Sequence, residues 1–223
     1  TALITNVAIQ KTTFKYEIPY MLLITAVLLV MGMTGNEITF IEGVILWILF
    51  IAYLLYLYLL AKKGNDSGDE QPVKLYPVWK CLLFIVLGGV CVVIGSQLVV
   101  NGATTIARAC GMSERFIGLT IVAFGTSLPE LVTSVSAARK GNAGIAIGNI
   151  VGSNIFNILF VVGTVALICP VPFESRFVID TVVAILCGVL LWGGTIRHKE
   201  LRKPCGVVML LCYAAYFVYL AAM

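Results

Sequence analysis

The sequence predicts an all-α polytopic membrane protein with seven transmembrane helices. Three observations lead there. The 223 residues are 60% hydrophobic and 12% charged, with a mean hydropathy of +1.02. A soluble domain carries about 25% charge, and too few polar residues exist here to cover a soluble core. Several apolar runs reach the length of about 20 residues that a spanning helix needs. The basic residues also fall unevenly among the connections between those runs, as a fixed membrane orientation requires.

Taken in order, the spans fall at 18–33, 38–61, 78–100, 116–138, 143–168, 177–196 and 206–223. The first is short and needs a tilt or an extension by its neighbours. The one long polar connection is "KKGNDSGDEQPVK", residues 62–74; its Gly, Asp, Ser and Pro content reads as a flexible loop. The chain thus divides into residues 1–63, a linker at 64–77, and residues 78–223. Lys11, Lys15, Lys62, Lys63, Lys74, Lys80, Arg139, Lys140, Arg197, Lys199, Arg202 and Lys203 lie on one side, against Arg108, Arg115 and Arg176 on the other. The twelve-to-three imbalance makes the first side cytoplasmic. With seven spans, the N-terminus is then inside and the C-terminus outside. The start at Thr1 instead of Met suggests a fragment or a processed chain.

The two ends of the chain resemble each other. "TALITNV" at 1–7 echoes "VALICPV" at 165–171, and Gly43, Tyr53 and Tyr56 match Gly206, Tyr216 and Tyr219 at a constant offset of 163. Apolar helices are low in complexity, so chance competes with a true repeat. A repeat unit of five spans is odd in number and inverts orientation, the logic of many secondary transporters. On that reading, residues 1–63 end the first repeat and residues 78–223 form the second.

The seven cysteines, Cys81, Cys91, Cys110, Cys169, Cys187, Cys205 and Cys212, form no CxxC pair and read as small packing residues. His198 sits alone in a basic loop, which supports no histidine-based metal site. The net charge of +4 is a matter of loops and orientation; no nucleic-acid partner is expected. No nucleophile–base pair stands within the apolar spans, so an intramembrane enzyme is not expected.

The acidic residues lie in loops or near span ends, except Glu130, which sits near the middle of a span. A charge there costs roughly 2.5–3.5 kcal/mol on insertion scales. The bland alternative is a protonated, hydrogen-bonded glutamate in a core. Its surroundings, "GTSLPELVTS", argue for more. Thr126 and Ser127 precede Glu130 by four and three residues and share its helical face. Pro129 lacks an N–H and clashes with the carbonyl of Gly125, so carbonyls here leave the helical ladder and need another partner in hydrocarbon. Carboxylate, hydroxyl and carbonyl oxygens together suit a hard cation such as calcium or sodium. The next span carries "GNIVGSNIFNI", in which Asn149, Ser153 and Asn157 follow an i, i+4, i+8 stripe and Asn154 lies on a neighbouring face. Gly144, Gly148 and Gly152 form a second stripe that reads as close helix packing. Hydrogen bonding between helices without any ligand is the alternative for the Ser/Asn stripe.

"GTSLPE" followed by "GNIVGSNIFNI" resembles the alpha-repeat of the sodium/calcium exchanger family, the cation/calcium antiporters; the strong part covers residues 102–163. The resemblance implies ten spans in two inverted five-span halves with both termini outside, of which this chain resembles spans four to ten. It implies a secondary active antiporter in the lipid bilayer, expected in a bacterial inner membrane. Calcium and sodium are its transported ions, with no organic cofactor, and access alternates about a midplane oxygen site. Carried over residue by residue, the resemblance makes Glu130 the principal carboxylate. Thr126, Ser127, the carbonyl of Ala123, Ser153 and Asn157 would be further ligands, with Asn154, Asn149, Pro129, Gly125 and Gly152 in support. Asn157 departs from members that carry Asp there, which leaves potassium or proton coupling open. One carboxylate does not balance a calcium ion, so the resemblance implies that a first alpha-repeat in the same full-length protein supplies the other half of the site. A passive cation channel built from the same ligands is the alternative function.

Overall fold

The computed structural model describes residues 2, 7–64, 77–112, 114–196 and 199–222. Most of the expected linker at 64–77 and His198 lie outside the described residues, as does most of the N-terminal echo at 1–7. The first span is α1, Ile18–Gly35, entered through a π-helical turn, Thr13–Glu17. Together they make a helix of 23 residues, which supplies the length the apolar run alone lacks. Pro19 sits in the first turn, where its missing N–H breaks no helical bond. The helix stops at Asn36, whose φ of 55° is left-handed, a conformation Asn tolerates.

Helix α2, Phe40–Gly64, starts at a reciprocal cap. Glu42 Oε2 accepts from the Thr39 N–H at 2.7 Å and the Thr39 hydroxyl at 2.9 Å, so a T-x-x-E sequence closes the end of the helix. Helix α3, Val78–Ala109, is 32 residues long and longer than the sequence suggests, because the polar residues after Val100 continue the helix. The fourth run is broken into α4 (Glu114–Ile117), a π-helical turn (Gly118–Val122), α5 (Ala123–Thr126) and α6 (Leu128–Arg139). The fifth runs through α7 (Ala143–Phe156), a π-helical stretch (Asn157–Val162) and α8 (Gly163–Ile168). Helices α9, Ser175–Thr195, and α10, Lys203–Ala222, complete the chain.

Five of these helices are long and apolar enough to cross a membrane, and counting the bent pair Thr120–Thr126 and Leu128–Arg139 as one span makes six. The seventh expected span corresponds to α10, of which Lys203–Tyr219 is a shorter apolar helix among the described residues. The core lies where α1 packs on α9 and α7, and α2 on α8. It is built on Ile18, Ile24, Leu46, Ile155 and Leu159, all fully buried. Helix α3 contributes little to it and makes its contacts with the broken helix.

Four two-residue strands, not visible in the sequence, join the two ends of the chain. Strand β1, Val7–Ala8, pairs antiparallel with β4, Glu200–Leu201, and β2, Glu37–Ile38, pairs with β3, Val171–Pro172. Val7 faces Leu201 as Val171 faces Ile38, and Ala8 faces Glu200 as Pro172 faces Glu37. The correspondence continues outward. The Ile9 N–H donates to the Lys199 carbonyl at 2.9 Å, and the Phe173 N–H to the Asn36 carbonyl at 2.7 Å. Asn36 and Lys199, with φ of 55° and 52°, are the left-handed non-glycine residues among those described. Gly43 lies against Ala166, and Gly206 against Ala2. Tyr53 and Tyr56 stack at 6.2 Å and 26°, Tyr216 and Tyr219 at 6.3 Å and 26°. Matched positions are 164 apart up to Ile9 and Phe173, and 163 apart from Asn36 and Lys199 onward. The first end therefore carries one extra residue, and its π-helical turn at Thr13–Glu17 provides the i→i+5 geometry that absorbs one.

Candidate functional site

The break in the fourth run falls inside "GTSLPE". Helix α5 ends at Thr126, Ser127 stands outside regular helix at φ −94° and ψ 0°, and α6 begins at Leu128. The two helical segments meet at 50°. Pro129 occupies the first turn of α6, so the ladder that would have crossed the break is missing one donor. The Ser127 N–H instead reaches back to the Phe124 carbonyl at 3.1 Å. Gly125, buried before the hinge, lies so close to Val100 of α3 that any Cβ there would collide with the valine side chain. A glycine is required at this position for the two helices to approach.

Glu130 follows in the first turn of α6, where unsatisfied N–H groups and the helix dipole favour negative charge. Its Oε2 is sealed from solvent and has no hydrogen-bond partner among the described residues. At Oε2, the hydrogen bond that the bland alternative requires is missing among the described residues. A buried carboxylate oxygen left unpaired costs more than a neutral group would, a cost that a proton or a cation would remove.

The second cluster is held against the first by Asn149. Its Nδ2 donates to Thr133 Oγ1 at 2.9 Å and Ser134 Oγ at 3.1 Å, and approaches the Glu130 carbonyl at 3.3 Å. Asn149 thus fastens α7 to the turn that carries Glu130. Ser153 and Asn154 turn back on their own helix, both donating to the Ile150 carbonyl, at 3.1 and 2.8 Å. Asn157 is the first residue of the π-helical stretch, and Ala123 directly follows the one at Gly118–Val122. Each expected ligand run is therefore flanked by a π-helical segment, a feature frequent at functional sites and invisible in the sequence. The glycine stripe packs unevenly among the described residues. Gly144 lies against Gln10, but no atom among the described residues stands within 4 Å of a Cβ built at Gly148 or Gly152.

Sequence reasoning also missed a polar wall beside the hinge. Ser96, Gln97 and Asn101 of α3 face Thr126 and Pro129 across a cavity of about 470 Å³. The spacing of Gln97 and Asn101, one helical turn apart in an apolar span, was the signal that could have found it.

A family model described as sodium/calcium exchanger protein matches residues 80–222. The chain belongs to the sodium/calcium exchanger family. Among similar proteins of this family and its relatives is the putative antiporter CaxA of Alkalimonas amylolytica, 34% identical over 97% of this chain and 70% of its own length. An uncharacterized membrane protein of Methanocaldococcus jannaschii is 33% identical over 95% of this chain and 67% of its own. The sodium/calcium exchanger MaX1 of Methanosarcina acetivorans is 38% identical over 63% and 41%. The solved structure of the sodium–calcium exchanger NCX_Mj superposes with a TM-score of 0.78 at 31% identity, covering 97% of this chain and 69% of that one. The exchanger family and this helical membrane fold make the chain a cation/calcium antiporter and not an enzyme. It spans roughly two thirds of the length of the relatives it covers most fully.

Proposed function

We propose that this exchanger moves calcium against sodium by alternating access, with both ions competing for Glu130. The observation that carries the reading is the sealed, unpartnered Glu130 Oε2 at the helix break. Around it, Thr126, Ser127 and the Ala123 carbonyl are the neighbouring oxygens of the broken helix. Ser153 and Asn157 follow Asn149 by one and two turns along α7. Because α6 and α7 run antiparallel, those turns advance past Glu130 toward the hinge and α5. Asn149, Asn154, Pro129, Gly125 and Gly152 support that arrangement. Hard oxygen donors of this kind bind either ion. A single carboxylate leaves calcium half neutralised, so the remaining ligands come from a first alpha-repeat in the same protein.

The interlocking ends favour seven spans in this chain and an inverted-repeat architecture. Exchanging the two ends maps the β1–β4 pair onto β3–β2 with register kept, which is the behaviour of a two-fold axis. Equivalent elements lie five spans apart, so they cross the membrane in opposite directions. The basic loops put the N-terminus in the cytoplasm and the C-terminus outside, in a bacterial inner membrane.

The deciding experiment reconstitutes the complete protein in proteoliposomes and imposes a sodium gradient on equal calcium concentrations. Uphill calcium movement is the expected result. Calcium that only ever follows its own gradient would make the protein a pore. Flux that requires potassium or a proton gradient would assign the coupling ion, a question raised by Asn157 in place of a carboxylate.

A further inference from the structure

The polar wall of α3 continues beyond the cavity. At 3.6 residues per turn, Gln97, Asn101, Thr104 and Arg108 fall within an arc of about 60°. The stripe runs about 16 Å along the helix from Gln97 to Arg108, with Ser96 and Thr105 the other polar residues of this stretch. Its lower part faces the cavity beside Thr126 and Pro129. Higher up, the Thr104 hydroxyl is buried without a hydrogen-bond partner among the described residues. Such groups need polar company at membrane depth. At the far end, Arg108 donates from Nε to Glu114 Oε1 at 2.6 Å and from Nη2 to Oε2 at 2.9 Å. Both side chains are exposed, at 58% and 69%, and the clamp joins the end of α3 to the start of α4.

We propose that the Gln97–Asn101–Thr104 face of α3 is the path by which a cation reaches Glu130 from the Arg108 side of the membrane. Glu114 keeps the mouth of that path passable by masking the Arg108 charge. This rests on Glu130 as a cation ligand. Amide and hydroxyl oxygens can replace hydration waters of sodium or calcium without adding charge that would hold the ion in place, so they suit transit. Arg108 stands about 10 Å along the helix from Asn101, a distance comparable to the Debye length of about 10 Å at 0.1 M salt. An unmasked guanidinium there would repel an approaching cation, calcium twice as strongly as sodium.

The test uses the complete exchanger in proteoliposomes, with each ion varied on one side at a time. Glu114→Gln is expected to raise the calcium KM on the Arg108 side about three- to tenfold at low ionic strength. The sodium KM should shift less, kcat should hold, and the opposite side should be unchanged. Raising ionic strength with choline chloride should erase the shift, and the double variant Arg108→Gln/Glu114→Gln should restore the KM. Asn101→Leu should raise the KM of both ions on the same side whatever the salt. Equal shifts on both sides, a shift that salt does not touch, or no recovery in the double variant would overturn the proposal. Glu130→Gln separates the two readings. If it abolishes exchange while Glu114→Gln has no one-sided effect, only the path fails; if it leaves exchange intact, the site itself fails.

Discussion

A carboxylate oxygen shut off from water and without a hydrogen-bond partner is costly while it is charged, and a bound cation or a proton removes that cost; Glu130 Oε2 is in that position. Glu130→Gln removes the charge and keeps the shape. Its backbone carbonyl still receives Asn149, so the α6–α7 pair should persist. The expected outcome is loss of sodium-dependent calcium flux with a thermal midpoint within a few degrees of the parent; unchanged exchange kinetics would remove Glu130 from the site. Asn149→Ala is its complement. It strips the donors from Thr133 and Ser134 and should destabilise the protein by about 1–3 kcal/mol, measured by denaturant unfolding in detergent. Glu130 was legible in the sequence because a lone carboxylate in an apolar span is costly unless a ligand or a partner compensates it. The partners of Asn149 were not, since helical spacing tells which face a side chain occupies but not which atom it meets. Ser153 and Asn154 illustrate the same limit. Their back-bonds to Ile150 belong to the local competition that short polar side chains always offer.

At the scale of the element, the hinge was legible and its surroundings were not. Pro129 announces a break because it lacks an N–H, and the 50° bend sits beside it. The π-helical turns before Ala123 and from Asn157 onward carry no such marker, because they arise from register and not from residue type. The role of Gly125 is likewise a matter of packing between helices distant in sequence. A Cβ there meets Val100, so Gly125→Ala should push α3 away from the broken helix and widen the cavity that Gln97 and Asn101 line. Overpacking of this kind costs about 1–3 kcal/mol and should slow exchange as well as lower the thermal midpoint. Shaving the opposing side chain with Val100→Ala in the same protein should recover most of both. A silent Gly125→Ala, or a double variant no better than the single, would mean that α3 does not sit against the hinge.

For the whole molecule, the matching ends make a quantitative demand. The sequence displayed this likeness as a seven-residue echo and as one glycine and two tyrosines per end; the strands and the left-handed residues became visible only in three dimensions, because they depend on backbone conformation more than on side-chain identity. If the ends are related by a two-fold axis, one packing solution is used twice, and equivalent substitutions should have comparable costs. Gly43 and Gly206 provide the comparison. A Cβ at Gly43 would stand 3.0 Å from the Ala166 Cβ, and one at Gly206 would stand 2.9 Å from the Ala2 Cβ. Both contacts are tighter than packed methyl groups accept, and both are made against backbone-anchored atoms that cannot rotate away. Gly43→Ala and Gly206→Ala should therefore each destabilise by about 1–3 kcal/mol, with the larger cost at Gly43, where the added Cβ also meets backbone atoms of Gly163 and Leu167. Ala2→Gly should relieve the second and Ala166→Gly only part of the first, because the Gly163 carbonyl and the Leu167 nitrogen also stand 3.1 and 3.2 Å from a Cβ at Gly43; neither should cross over. Unfolding of the four single and two double variants in detergent measures this directly. A severe effect at one glycine beside a silent one at the other would mean that the ends share a shape without sharing an energetic role, and the symmetry on which alternating access relies would lose its support in this chain.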